Sequence, residues 1–428
     1  MELKNITEEV FSSFAEKHPL YTFHQTKEWA KLKKCNGWDH FYVGLYDGED
    51  LVGGSLLLAK STPIKKKMFY APRGFLIDYE KEEMVQTFTN EIRKFVRAHQ
   101  GIFVKIDPVV LLQERNVDGD VIEGGIQHFA LVEQLKKLGY RHYGFSVSNH
   151  KELQPRWVFA LPIKDKTKDE LFASFNSRTK RSIKKCQNHG VVVEELPKAD
   201  LAVFKAIMEH TSARRGFLDR PYSYYQNMLD CLQEHCKIFV AYLDIALSRS
   251  LWNEQIQKEE KRISQFEKTS ESKKAKEGIA LSTKLIQDAN ETLKELAQLE
   301  QEKGSKIPLG GAMFLHFGKE MTYLFGGSYS EYMKYPSQYL VQWVAIQDAL
   351  ENACELYNFY GIDGHLKEDG EMHGVYEFKK GFGGEVREYI GEFDLVVRPF
   401  YYRLYKVSFA SYKFLKNLKN VRVRRNAE

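Results

Sequence analysis

The stretch Gly374-Val375-Tyr376-Glu377-Phe378-Lys379-Lys380-Gly381-Phe382-Gly383-Gly384-Glu385 sets two adjacent lysines among glycines and aromatic rings. Glycine lets a backbone turn with positive φ or approach a ligand closely. Gly381, Gly383 and Gly384, coming directly after Phe378-Lys379-Lys380, therefore predict a cation presented on a tight bend, with an anion as its guest. The competing reading is an exposed hairpin whose lysines are simply solvated.

Upstream, Tyr360-Gly361-Ile362-Asp363-Gly364 ends an expected strand and again places glycines and a carboxylate at a strand end. In an open α/β sheet the crevice beyond strand C-termini is where ligands bind. A helix is expected over Tyr339 to Leu356, and a hairpin over Leu309 to Phe317 and Met321 to Gly326. Before that hairpin the composition changes. From Leu247 to Lys303 there is no proline, and Glu, Lys, Gln, Ser and Ala dominate. Leu247, Leu251, Ile256, Ile263 and Phe266, then Leu281, Leu285, Ala289, Leu293, Leu296 and Leu299, recur at coiled-coil-like intervals around the polar tip Thr269 to Lys274. This predicts a helical hairpin of two antiparallel helices, each about 25 residues and on the order of 38 Å long. It is inserted between neighbouring strands. Acid and base nearly balance along it, so by its residues alone it is a structural or dimerisation arm.

Towards the N-terminus the pattern is α/β. Helices are expected at Glu8 to Glu16, Thr26 to Lys34 and Glu82 to His99, and strands at His40 to Tyr46, Leu51 to Ala59, Lys67 to Ala71 and Gly101 to Pro108. Asp107 stands at the C-terminal end of the last strand. Gln25 to Trp29 with Lys31, Lys33 and Lys34 puts several cations on one short helix, whose plain reading is a solvated face. A second α/β unit opens with the strand at Arg156 to Ala160. Its first helix leads into the densest positive patch of the chain, Arg178, Lys180, Arg181, Lys184 and Lys185, and such patches bind phosphates without reading sequence. Further on, Arg220 precedes Tyr224 and Tyr225; the planar guanidinium suits phosphate or carboxylate. A surface loop with a tyrosine anchor is the alternative.

The chain has 428 residues, 43% hydrophobic and 28% charged, which bounds it to two or three ordinary globular domains and excludes a disordered chain. Net charge is only +5, so any basic partner surface comes from local clusters. Met1-Glu2-Leu3-Lys4-Asn5-Ile6 lacks a secretory pattern, and no apolar run approaches the ~18 residues of a membrane span. Five cysteines with no C-x-x-C pair fit a reducing cytoplasm. Cys231, His235 and Cys236 have the wrong spacing for a zinc knuckle and read as a buried helical pair, so no metal is expected. At the C-terminus, Phe400, Tyr401, Tyr402, Tyr405, Phe409, Tyr412, Phe414 and Leu418 alternate with Lys406, Lys413, Lys416 and Lys419 before Arg422-Val423-Arg424-Arg425. A basic aromatic helix of this kind lies on an anionic membrane face or packs on the first unit with a frayed tail.

With these segments in order, the whole chain resembles the Fem aminoacyltransferases, which use aminoacyl-tRNA to build the peptide cross-bridge of bacterial peptidoglycan. The matching stretches are Gln25-Thr26 to Leu32-Lys33, Ile106-Asp107-Pro108, Arg178 to Gly190, Arg220 with Tyr224-Tyr225, the inserted hairpin, Phe325 to Ser328, Val341-Gln342-Trp343, Phe359-Tyr360-Gly361 and Phe378-Lys379-Lys380-Gly381-Phe382. The resemblance implies an α/β fold of two acetyltransferase-like units facing across a cleft. The first is residues 1–150 with 397–428 packing back on it, the second residues 151–245 and 306–396, and the hairpin arm 246–305. It implies that Lys33, Arg220 and Tyr224 hold the diphosphate of a lipid-linked or UDP-linked muropeptide precursor. It puts Phe378 and Lys379 beside the reacting ester, where the lysine stabilises the oxyanion, and offers Asp107 as the general base, with the departing ribose oxygen as a substrate-assisted alternative. The arm and the patch Arg178, Lys180, Arg181, Lys184 and Lys185 then meet tRNA.

The family's chemistry uses no cofactor beyond aminoacyl-tRNA as co-substrate, since the ester is already activated. Glycine is the first expectation for the amino acid, with alanine and serine as alternatives, and the place is the cytoplasm with peripheral contact to the inner membrane face. Gly383-Gly384 after Phe382 departs from relatives. Two rivals stay open: an acyl-CoA N-acyltransferase, and a non-enzymatic RNA-binding or scaffold protein. Against the first, Arg141-His142-Tyr143-Gly144-Phe145-Ser146 is the nearest thing to a pyrophosphate loop and fails at its last position.

Overall fold

The computed structural model of the protein describes residues 1–148, 152–269, 272–367 and 372–409. Its contacts divide the chain into two units. The first comprises Met1–Leu161, Asn358–Lys380 and Gly384–Glu428, the second Pro162–Tyr357 and Gly381–Gly383. Residues 152–161, 358–367, 372–380 and 384–396, expected in the second unit, group with the first. For 157–161 and 384–396 the reason is strand pairing: Glu385–Tyr389 pairs with Leu111–Glu114 and with Trp157–Pro162, and Phe393–Val396 pairs with Gly101–Ile106.

In the first unit a seven-stranded sheet runs in the order Glu2–Asn5, Asp39–Asp47, Asp50–Ser61, Lys67–Ala71, Gly101–Ile106, Phe393–Val396, Tyr140–His142. Only Lys67–Ala71 and Gly101–Ile106 are parallel neighbours. Parallel strands need a crossover, and the helix Glu82–Ala98 supplies it, burying Val85, Phe88, Ile92 and Val96 at helical spacing. These close on Phe69, Val104, Phe393 and Leu395 in one core. Each such side chain, fully buried, contributes about 1.5–3 kcal/mol. The C-terminal helix, residues 399–409, docks here too: Tyr402 packs with Ile102 and Phe103 and donates to Asp394 Oδ2 at 2.7 Å. Its expected continuation through Tyr412, Lys413, Phe414 and Leu418 to Arg425 lies outside the described residues.

In the second unit Val191–Glu195, Cys236–Asp244, Lys306–Phe317 and Glu320–Ser328 form consecutive antiparallel neighbours. The helix Ser337–Glu351 stops short of the expected Leu356, because Ala353 takes a left-handed φ of 53° and Leu356 already begins the strand Leu356–Gly361. Cys231 and Cys236 are not a helical pair. The chain leaves the helix Tyr222–Leu232 through Gln233–His235, and Cys236 starts a strand.

Two long helices, Ile245–Thr269 and Lys273–Lys303, lie between the strands Cys236–Asp244 and Lys306–Phe317. Asp244 pairs with Lys306, so the chain leaves and re-enters the sheet at one rung of the ladder. The helices run antiparallel: Arg249 bridges Glu300 at 2.7 Å, Ser282 Oγ donates to Glu259 at 2.7 Å, and Phe266 lies against Gly278. The buried positions of the second helix are Ala275, Ser282, Ala289 and Leu296, an unbroken seven-residue repeat. Of the expected positions, Ala289 and Leu296 lie in this seam, whereas Ala275 and Ser282 are not among them. Leu281 is exposed, and three small side chains let the helices approach closely instead. Ser270 and Glu271 of the expected tip lie outside the described residues. Among the described residues no helix is long and apolar enough to cross a membrane, and no three His, Cys, Asp or Glu side chains are grouped to hold a metal ion.

Candidate active site

Lys379 does not sit on a bend. It lies in the last turn of the helix His373–Lys380, and the turn comes afterwards, with Gly383 and Gly384 at φ of 76° and 110°. Only glycine fits at 384, where a Cβ would stand 2.3 Å from the Ala160 carbonyl oxygen. The glycines thus take the chain out of the helix rather than present the cation. Tyr376 and Lys379, three residues apart, share the buried face. One residue further on, Lys380 turns to the surface and pairs with Asp118 at 2.7 Å. Lys379 is 4% exposed; its Nζ donates to the Gly361 carbonyl at 2.6 Å and the Tyr360 carbonyl at 3.4 Å. Burial pulls its ammonium down to about 7. Phe378 is half-buried on the same turn.

Asp107 follows the strand Gly101–Ile106, as expected, and is buried. Its Oδ1 accepts the Arg73 backbone N–H at 2.7 Å and its Oδ2 the Tyr70 hydroxyl at 2.9 Å. Burial raises its carboxyl to about 7, opposed by the Arg73 charge and reinforced by Glu392. Arg73 takes a left-handed φ of 62°, and its guanidinium donates to the Pro155 carbonyl and lies over the rings of Tyr389 and Tyr360 at 5.3 and 5.9 Å. Asp107 and Lys379 are therefore joined within the first unit by a chain of contacts through Arg73 and Tyr360.

Lys33, in the last turn of the helix Lys27–Cys35, is half-buried with its Nζ 4.2 Å from the Trp29 ring centroid. Below it His24 is buried and stacked on Phe23, and burial, aided by Arg73 and Lys33, holds its imidazole well below the usual range. Gln25 is a structural pin. Its amide donates to the Pro72 and Gly74 carbonyls at 2.6 and 2.8 Å and accepts from Leu56 N at 2.8 Å, fixing the turn that carries Arg73.

In the second unit Arg220 and Tyr224 are brought together, the guanidinium 5.2 Å over the ring. The preceding Asp219 is tied down by Lys205, by the Tyr225 hydroxyl at 2.6 Å and by the Arg220 N–H at 2.7 Å. Tyr224 and Tyr225 lie on the helix Tyr222–Leu232 rather than in a loop. The helix Ser177–Asn188, capped by Asn176, buries Thr179, Ile183 and Cys186 and leaves Arg178, Arg181, Lys184 and Lys185 exposed; Lys180 donates to the Ala173 carbonyl at 3.0 Å.

The model of the FemAB family matches residues 6–408. The chain belongs to the FemAB family. It is an aminoacyltransferase, 33% identical to Aminoacyltransferase FemA of Staphylococcus aureus strain MRSA252 over 98% of this chain and 99% of that protein. FemA of strain N315 has the same identity and coverage. The crystal structure of FemX superposes with a TM-score of 0.79 at 29% identity, covering 94% of this chain and 99% of that one. In this FemAB enzyme Tyr360 lies in a stretch the sequence marks at a strand end, whereas nothing in the sequence singles out Arg73. Pro72-Arg73-Gly74 reads as an ordinary turn, and only a buried arginine placed beside a buried carboxylate distinguishes it.

Proposed function

We propose that this aminoacyltransferase of peptidoglycan cross-bridge synthesis moves glycine, or alternatively alanine or serine, from aminoacyl-tRNA to a precursor. The acceptor is the stem-peptide lysine or growing cross-bridge of a lipid-linked or UDP-linked muropeptide. The observation that carries the reading is a buried Lys379 in the same unit as a buried Asp107, each titrating near neutrality. Kinship with FemA and FemX supports the reaction class.

The acceptor amine attacks the ester carbonyl, the C–N bond forms, and negative charge gathers on the carbonyl oxygen. Lys379 donates to that oxyanion from a dry position, where a preorganised charge is worth most. Asp107 accepts the proton lost by the attacking nitrogen and returns it to the ribose oxygen, which leaves as a hydroxyl; in the alternative, the departing ribose oxygen takes that proton from the nitrogen directly. The ester arrives activated, so the step draws on orientation and electrostatics rather than on a cofactor. Each unit offers cations suited to phosphate: Lys33 in the first, and Arg220 beside Tyr224 in the second. We assign Arg178, Lys180, Arg181, Lys184 and Lys185, with the two long helices, to tRNA. An acetyltransferase-like plan for both units and a cytoplasmic site of action at the membrane face belong to the same proposal.

The test is a transfer assay with radiolabelled Gly-, Ala- and Ser-tRNA offered separately to soluble and lipid-linked muropeptides. Label is expected to pass from one tRNA to one acceptor, and Lys379→Met to abolish transfer. Transfer from an acyl-CoA but from no tRNA overturns the proposal.

A further inference from the structure

Lys379 is held by the backbone of a residue in an unusual conformation. Tyr360 has a φ of 64°, which side-chain-bearing residues rarely adopt, and it stands next to the end of the strand Leu356–Gly361. In an extended strand successive residues face opposite ways. Here the left-handed kink breaks that alternation, and the Tyr360 and Gly361 carbonyls both reach Lys379 Nζ. The kink is braced on each side. The Tyr360 N–H donates to Asn358 Oδ1 at 2.8 Å, and its hydroxyl donates to Gln154 Oε1 at 2.5 Å. Its ring lies 5.9 Å from the guanidinium of Arg73, whose backbone N–H holds Asp107.

We propose that Tyr360 is a positioning residue that sets both reacting groups, Lys379 through its backbone and Asp107 through the Arg73 guanidinium resting on its ring. The inference rests on the roles given above to Lys379 and Asp107. Strain of this kind persists at functional sites because the surroundings over-determine it. The two functions of Tyr360 are separable. Glycine at 360 keeps the left-handed backbone and loses the ring, whereas valine resists the left-handed region and disturbs the carbonyls.

The experiment compares Tyr360→Gly, Tyr360→Val and Tyr360→Phe in the transfer assay as a function of pH. Alongside it, competitive labelling of Lys379 by acetic anhydride, read by mass spectrometry, gives the titration midpoint of the amine without any turnover. Tyr360→Val is expected to lower kcat by ~100-fold and to move the Lys379 midpoint by more than one pH unit. Tyr360→Gly is expected to keep the Lys379 midpoint while its acid limb, governed by Asp107, shifts. Tyr360→Phe, which keeps the ring and removes the hydroxyl that donates to Gln154, is expected to lower kcat less than Tyr360→Val does. Circular dichroism confirms that each variant is folded. The proposal is overturned if folded Tyr360→Val keeps both the Lys379 midpoint and the parental pH profile. A fully active Lys379→Met would instead remove the underlying role of the lysine, so the two failures are told apart.

Discussion

The backbone N–H of Arg73 donates to Asp107 Oδ1 at 2.7 Å while the side chain of Arg73 turns away to the Pro155 carbonyl and the rings of Tyr360 and Tyr389. Asp107 is thereby held by the arginine's backbone, and burial, opposed by the Arg73 charge, pushes its carboxyl up to about 7. Lys379 also titrates at about 7, from the opposite direction. In the proposed roles, Asp107 as base works above its midpoint and Lys379 as cation works below its own. The dependence of kcat on pH is expected to be a bell with a narrow maximum close to pH 7. Asp107→Asn is expected to remove the acid limb and lower kcat by roughly 10²–10⁴. A rate that stays flat between pH 6 and 8 would contradict both assignments.

Lys379→Met separates function from stability. Because the folded-state pKa of Lys379 lies near 7 against an ordinary 10.5, the folded protein binds that proton more weakly than the unfolded chain does. The cost is present in full below pH 7 and fades as pH rises towards 10.5. An apolar side chain of similar length is therefore expected to stabilise the fold by about 2 kcal/mol at pH 6 and by little at pH 10. Urea unfolding at the two pH values measures it. A loss of stability at pH 6 would show that the buried amine is favourable where it stands.

The exposed cations of the helix Ser177–Asn188 make a graded prediction. Arg178→Gln, Arg181→Gln and Lys185→Gln combined are expected to weaken tRNA binding evenly across tRNA species. The salt slope, log affinity against log salt, is expected to become shallower by roughly two to three units, about one for each phosphate that the protein no longer neutralises. An unchanged slope would move the tRNA interface elsewhere.

Within the long helices, Ala289 is completely buried in the seven-residue repeat that also buries Ser282 and Leu296. Ala289→Phe is expected to force the helices apart and destabilise them by about 1–3 kcal/mol. Limited proteolysis between Ile245 and Lys303 is then expected to speed up while the sheets stay protected. Equal resistance in the variant and the parent would mean that the seam yields without cost.

Much of this was legible in the sequence because it depends on local pattern. The helix Glu82–Ala98 and the strands on either side of it follow from periodicity, and Asp107 follows from its strand. Two long helices follow from a composition without proline. The burial of Lys379 was not legible: the glycines after it suggest a bend, but the helical spacing of Tyr376 and Lys379, which turns the lysine inward, is short enough to be overlooked. Nor was the whole seam. Ala289 and Leu296 stand in the expected repeat, but Ala275 and Ser282, a small and a polar side chain, join them as a heptad only when the opposite helix is in place. Arg73 and Tyr360 were hidden for a third reason, since their roles come from contacts between segments hundreds of residues apart.

Asp244 and Lys306 sit opposite each other on adjacent strands, with both long helices strung between them. Their departure and return points are one strand spacing apart, about 4.8 Å. A hairpin turn would close the same gap, so the ladder between the two strands sets no length on what is strung between them.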